Sequence, residues 1–143
     1  MKKKILIVED DHDIVTGLRD RLETLGFDIV TAHDGISALK RLEEAHPSLM
    51  LLDLHLPRMS GLEVLEQLAT RRLQGSGGDD VPVIIMTAFV GAEAAATALQ
   101  AGVRGFVAKP FEWNHFFGVL EEAVKEHAGE PASRPASNET QPE

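Results

Sequence analysis

Apolar positions along this chain follow two alternating rhythms. Ile5-Leu-Ile-Val8 is a short continuous apolar run rich in β-branched residues, the form of a strand buried on both faces of a parallel sheet. Ile14, Leu18, Leu22 and Leu25 then recur at helical spacing, with Asp13 or a neighbour as cap and Gly26 as stop. Phe27 to Ala32 reads as a second strand. His33-Asp-Gly35 is a turn, and Asp34 is a candidate N-cap for a helix from Ile36 to Ala45, closed by Pro47. Leu49 to Leu52 is a third strand that runs into Asp53. A loop holding Pro57 and Gly61 leads to a helix with Leu62, Leu65, Leu68 and Ala69 on one side. Val81 to Met86 is a fourth strand, Glu93 to Ala101 an alanine-rich helix, Gly105 to Ala108 a short fifth strand. Glu112 to His127 is a last helix with Phe116, Phe117, Leu120 and Val124 on its apolar face.

Strand and helix thus alternate five times, which predicts an α/β fold with a parallel sheet and right-handed crossovers. Two segments break the pattern. Gln74 to Asp80 is a glycine-rich polar loop, tolerable because closure cost grows slowly with loop length. Gly129 to Glu143 is rich in Pro, Ser, Ala and Glu without apolar periodicity and is read as a disordered tail after one domain over residues 1–128. No second domain is expected.

The chain's 143 residues suit one domain with its own core. A formal charge of −9, from 14 Lys and Arg against 23 Asp and Glu, disfavours direct nucleic-acid binding. The absence of cysteine excludes disulfides and thiolate metal sites and is consistent with a cytoplasmic location. The apolar run after Met1-Lys-Lys-Lys4 is too short for a secretory signal, and no run approaches a membrane span of about 20 residues.

Ligands of open parallel sheets bind beyond the carboxyl ends of the strands. Glu9, Asp10 and Asp11 fall there after strand one, Asp53 after strand three, Thr87 after strand four and Lys109 after strand five. Two carboxylates about 4 Å apart repel by about 4 kcal/mol at an effective dielectric of 20. Such a group either raises a pKa or binds a cation, and few hard oxygen ligands suit Mg²⁺. A carboxylate can serve as nucleophile in phosphoryl transfer, with Lys109 and Thr87 placed to contact phosphoryl oxygens. Any one of these acids alone is more simply a solvated loop residue; the set at the strand ends is what points to chemistry.

Four segments, in order and correctly spaced, resemble the signature segments of response-regulator receiver domains of the CheY-like superfamily. They are Lys4-Ile-Leu-Ile-Val-Glu-Asp-Asp11, Leu51-Leu-Asp-Leu-His-Leu-Pro-Arg-Met-Ser-Gly-Leu62, Ile85-Met-Thr-Ala88 and Gly105-Phe-Val-Ala-Lys-Pro-Phe111. The resemblance implies a flavodoxin-like, doubly wound sheet in strand order 2-1-3-4-5 with five helices on both faces. It implies Asp53 as phosphoryl acceptor, and Mg²⁺ held by Asp10 and Asp53, by Glu9 through water and by the backbone carbonyl of His55. Thr87 and Phe106 become the switch pair, and the bond before Pro110 is expected to be cis. His55 and Phe89 occupy positions that influence hydrolysis of the phosphoryl group in relatives, and bulky Phe89 is expected to slow it.

The implied activity is that of a single-domain signalling switch which catalyses only its own phosphorylation and dephosphorylation. The donor would be a sensor histidine kinase or phosphotransfer protein. Output would pass to a separate protein through the helix 4/strand 5/helix 5 face, from a monomer or a phosphorylation-dependent dimer.

The rivals fit less well. An interaction module with a degenerate receiver fold does not need the complete acid, hydroxyl and lysine set. An aspartate-nucleophile phosphatase resembles an Asp-x-Asp pattern after strand one, whereas Asp53-Leu-His55 follows strand three. A flavodoxin-like cofactor site would be repelled by Glu9-Asp-Asp-His-Asp13, and no P-loop segment occurs. The six histidines show no paired metal-ligand spacing and read as surface or loop residues, Asp11 as a cap for the first helix, and Trp113 as an anchor for the last helix.

Overall fold

The computed structural model describes residues 3–74, 81–88 and 91–127. Within them the elements run β1 (Lys4–Val8), α1 (His12–Thr24), β2 (Asp28–Ala32), α2 (Gly35–Ala45), β3 (Leu49–Asp53), α3 (Gly61–Gln74), β4 (Val83–Thr87), α4 (Ala92–Ala101), β5 (Val103–Ala108) and α5 (Trp113–His127). All strand pairs are parallel and the sheet order is β2-β1-β3-β4-β5, the order that the family resemblance implied.

Strand side chains alternate between two cores. Leu6, Val8, Met50, Leu52, Val83 and Ile85 face α2, α3 and α4, meeting Leu42, Leu65 and Ala98. Ile5, Ile7, Leu49, Leu51, Ile84 and Met86 face α1 and α5, meeting Leu18, Leu22, Phe116 and Leu120. This is why the three central strands read as unbroken apolar runs: neither face meets water. Each such side chain contributes about 1.5–3 kcal/mol by its burial.

Local chemistry sets the boundaries, and several differ from expectation. Asp11 caps α1, as its place before the helix suggested: its Oδ1 accepts from the backbone N–H groups of Asp13 at 2.9 Å and Ile14 at 3.3 Å. The buried stripe of α1 is Val15, Leu18 and Leu22, while Leu25 is 58% exposed. The chain leaves the helix at Leu25, and Gly26, at φ 100°, turns it away from the core. Asp34 caps α2 as expected, accepting from Ser37 N at 2.8 Å. At the other end of α2, His46 takes a left-handed conformation (φ 49°) just before Pro47.

β4 starts at Val83 rather than Val81, and β5 starts at Val103 rather than Gly105. Gly102, at φ 84°, ends α4 and sends the chain directly into the strand, where a register irregularity between Val83 and Ile84 absorbs the early start. The glycine-rich loop at 75–80, Phe89 and the tail at 129–143 lie outside the described residues. No helix among those described is long and apolar enough to cross a membrane.

Candidate phosphoryl-acceptor site

β1 and β3 carry their carboxylates to the same edge because they are adjacent and in parallel register, Val8 opposite Leu52. Glu9 follows β1 immediately and Asp53 ends β3; both are buried, at 1% and 4% exposure, while Asp10 is exposed. One carboxylate oxygen from each lies within 4.8 Å of the others. Thr87 ends β4 and is buried. Lys109 follows β5, and its backbone N–H donates to Thr87 O at 3.0 Å. The Lys109–Pro110 peptide bond is cis.

Lys109 reaches across the edge. Its Nζ donates to Glu9 Oε1 at 2.6 Å and to Asp53 Oδ2 at 3.1 Å. The other oxygens of these acids take backbone donors: Glu9 Oε2 accepts from Asp11 N at 3.1 Å and Asp53 Oδ1 from His55 N at 3.1 Å. Burial pushes the Glu9 carboxyl above its ordinary range, aided by the Asp53 charge and opposed by Lys109 and Asp11 N. Burial alone would lower the Lys109 ammonium, but its hydrogen bonds and charge pairing with Glu9 and Asp53 outweigh this and raise it. Three carboxylates against one ammonium leave two negative charges unmatched inside the cluster. Hard oxygen donors with excess negative charge fit a small divalent cation.

The fold therefore brings together Glu9, Asp10, Asp53 and Lys109, with Thr87 joined to Lys109 through the backbone. His55 lies two residues beyond Asp53, its side chain exposed. Phe106 is elsewhere: it sits on β5 with its ring 43% exposed, at the surface rather than in the core where strand aromatics usually pack.

Three features escaped sequence reasoning. Lys109 bridges two carboxylates on different strands, which only strand order makes possible. Gly61 opens α3 so close to β3 that a Cβ there would lie 2.3 Å from Asp53 O and 2.5 Å from Leu54 Cα. His33 hydrogen-bonds Glu9 O through Nδ1 at 3.0 Å, with the His12 ring 5.4 Å from its own. His33 follows β2, so the strand-end rule could have flagged it.

Trp113 anchors α5 as expected. Its indole packs on Phe111, Phe116 and Phe117, lies over Gly17 of α1, and carries the Arg21 guanidinium 4.1 Å from its ring centre.

Comparison with known proteins agrees with this geometry. The alkaline phosphatase synthesis transcriptional regulatory protein PhoP of Bacillus subtilis is 39% identical over 111 residues, covering 78% of this chain and 44% of its own length. The chain spans about half the length of the curated relatives it matches. A CheY-like receiver domain from Methanospirillum hungatei superposes with TM-score 0.78 at 27% identity, over 90% of this chain and 98% of that one. The receiver domain of a sensor histidine kinase from Pseudomonas aeruginosa, solved with a magnesium ion coordinated in its active-site cleft, gives TM-score 0.72 at 26% identity, over 87% of this chain and 99% of that one. The family model described as the response regulator receiver domain matches residues 5–121, and the chain belongs to that family.

Proposed function

We propose that Asp53 accepts a phosphoryl group from the phosphohistidine of a sensor histidine kinase or phosphotransfer protein, in a Mg²⁺-dependent reaction. One observation carries the reading: a buried carboxylate ends a central strand with an ammonium 3.1 Å from its Oδ2 and two further carboxylates within 4.8 Å. Glu9, Asp10, Asp53 and the backbone carbonyl of His55 would hold the ion. Bound there, Mg²⁺ would supply the positive charge that the cluster lacks and offset the negative charge of the phosphoryl group.

The chain's own residues do the rest. An Asp53 carboxylate oxygen forms the new P–O bond as the P–N bond to the donor imidazole breaks, and the freed imidazole nitrogen keeps the electron pair. Lys109, already at Asp53 Oδ2, is placed to follow the charge onto a phosphoryl oxygen, and Thr87 to donate to another. A groove of about 540 Å³ opens beside Lys109, floored by Ile14, Pro110, Phe111 and Trp113, and gives a donor protein a surface next to the acceptor.

Phosphorylation would then shift the populations of two surface conformations, with Thr87 and Phe106 as the switch pair. The output face is α4, β5 and α5, where Leu99 and Phe106 present apolar area to solvent. The working unit would be residues 1–128 in the cytoplasm, with a separate protein or a further segment as output and no direct nucleic-acid contact.

Intact mass after incubation with a small-molecule phosphodonor tests this reading. Wild type should gain one phosphoryl group only with Mg²⁺ present, and Asp53→Asn none. A folded, Mg²⁺-binding wild type that stays unmodified with several donors would leave a phosphorylation-independent interaction module instead.

A further inference from the structure

We propose that His12 and His33 form a second cation site, for one borderline divalent ion such as Zn²⁺, beside the acid cluster and distinct from it in ligand chemistry. His12 opens α1 and His33 follows β2, and parallel pairing of β1 with β2 brings both to the same edge of the sheet. Their ring centres are 5.4 Å apart with planes inclined at 46°. Two imidazoles that share one tetrahedral ion at metal–nitrogen distances of about 2.0–2.1 Å have ring centres about 5 Å apart. The observed separation of the ring centres is therefore close to that of two imidazoles sharing one ion.

A second observation fixes the protons. His33 Nδ1 lies 3.0 Å from Glu9 O, and a carbonyl can only accept, so Nδ1 carries the hydrogen. In the neutral ring the lone pair is then on Nε2. Histidine ligands commonly donate their other ring N–H to a carbonyl in this way, which orients the ring and raises its basicity. Both side chains are exposed, so an ion can enter and water can complete its coordination. Asp10, Asp11 and Asp13 flank His12 in the chain and add negative potential around the pair.

Ligand type separates this site from the one at Asp53. Imidazole nitrogen suits Zn²⁺, Ni²⁺ and Cu²⁺, whereas Mg²⁺ prefers oxygen. The acid cluster contains no histidine.

The test is calorimetric titration of Zn²⁺ into the full chain in saturating Mg²⁺, so that the carboxylates are already engaged. One Zn²⁺ per chain is expected, and His12→Gln and His33→Gln should each weaken it by roughly tenfold or more. Glutamine at position 33 keeps an amide donor for the Glu9 carbonyl, so local structure is retained. His115→Gln, on α5, should bind as wild type does. The ring signals of His12 and His33 should shift together in nuclear magnetic resonance spectra over the first equivalent. No uptake, uptake that survives both histidine substitutions, or uptake that Mg²⁺ displaces in proportion to its concentration would overturn the proposal.

Discussion

Lys109 joins two carboxylates that come from different strands, and it is the main counter-charge they have. Lys109→Met should therefore destabilise the Mg²⁺-free chain by about 2 kcal/mol, less than the 3–5 typical of a wholly buried pair because the lysine is partly exposed. Urea unfolding in chelator checks this, and added Mg²⁺ should recover part of the loss. Glu9 gives the pH dependence. Its folded pKa lies above the ordinary 4.5 because burial disfavours the anion, so the folded chain holds that proton more tightly than the unfolded chain. This group's contribution falls as pH rises through the window that begins near 4.5 and ends at the raised value. In chelator, unfolding midpoints compared across that window for wild type and Glu9→Gln should show the decline only in wild type.

At the scale of elements, the start of α3 and the end of β3 touch. A methyl group at Gly61 would collide with the Asp53 and Leu54 backbone, which has no flexible end to yield. Gly61→Ala should cost about 2 kcal/mol or more and slow phosphoryl acceptance, because any relief moves the strand end that carries Asp53. Thermal unfolding and the phosphorylation rate measured together would show both effects, whereas a merely structural glycine would change stability alone. The start of α2 offers a contrasting case. Asp34 is held below its ordinary range first by the Ser37 backbone N–H and also by the nearby Arg58 guanidinium. A lowered pKa gives stability that is present above 3.8 and is lost as pH falls through the folded value. Asp34→Ala should cost about 1 kcal/mol at neutral pH and progressively less in acid, as paired denaturation curves would show.

For the whole molecule, the excess negative charge of the cluster would make a bound Mg²⁺ a stabilising ligand. Mg²⁺ at about a hundredfold over its Kd should raise stability by about 2.7 kcal/mol, and a chelator should reverse this. The gain should be much smaller in Asp53→Asn; an equal gain in both proteins would place the ion elsewhere.

Much of this architecture was legible beforehand. Central strands buried on both faces declare themselves as apolar runs such as Ile5 to Val8, and one rule about strand ends gathers Glu9, Asp53, Thr87 and Lys109. Other features depend on tertiary context. Leu25 matches the helical period, yet Gly26 turns it outward. The Lys109 bridge depends on β1 and β3 being neighbours. The pairing of His12 with His33 depends on β2 flanking β1, and no spacing along the chain announces it.

The central claim is that Asp53 is the phosphoryl acceptor, and locating the modified residue tests it most directly. Borohydride reduces an aspartyl-phosphate to homoserine, and peptide mass spectrometry then assigns the position. After treatment with phosphodonor and Mg²⁺, homoserine should be found at position 53 and at no other acid. Homoserine at position 10 or elsewhere, with Asp53 intact, would contradict the account.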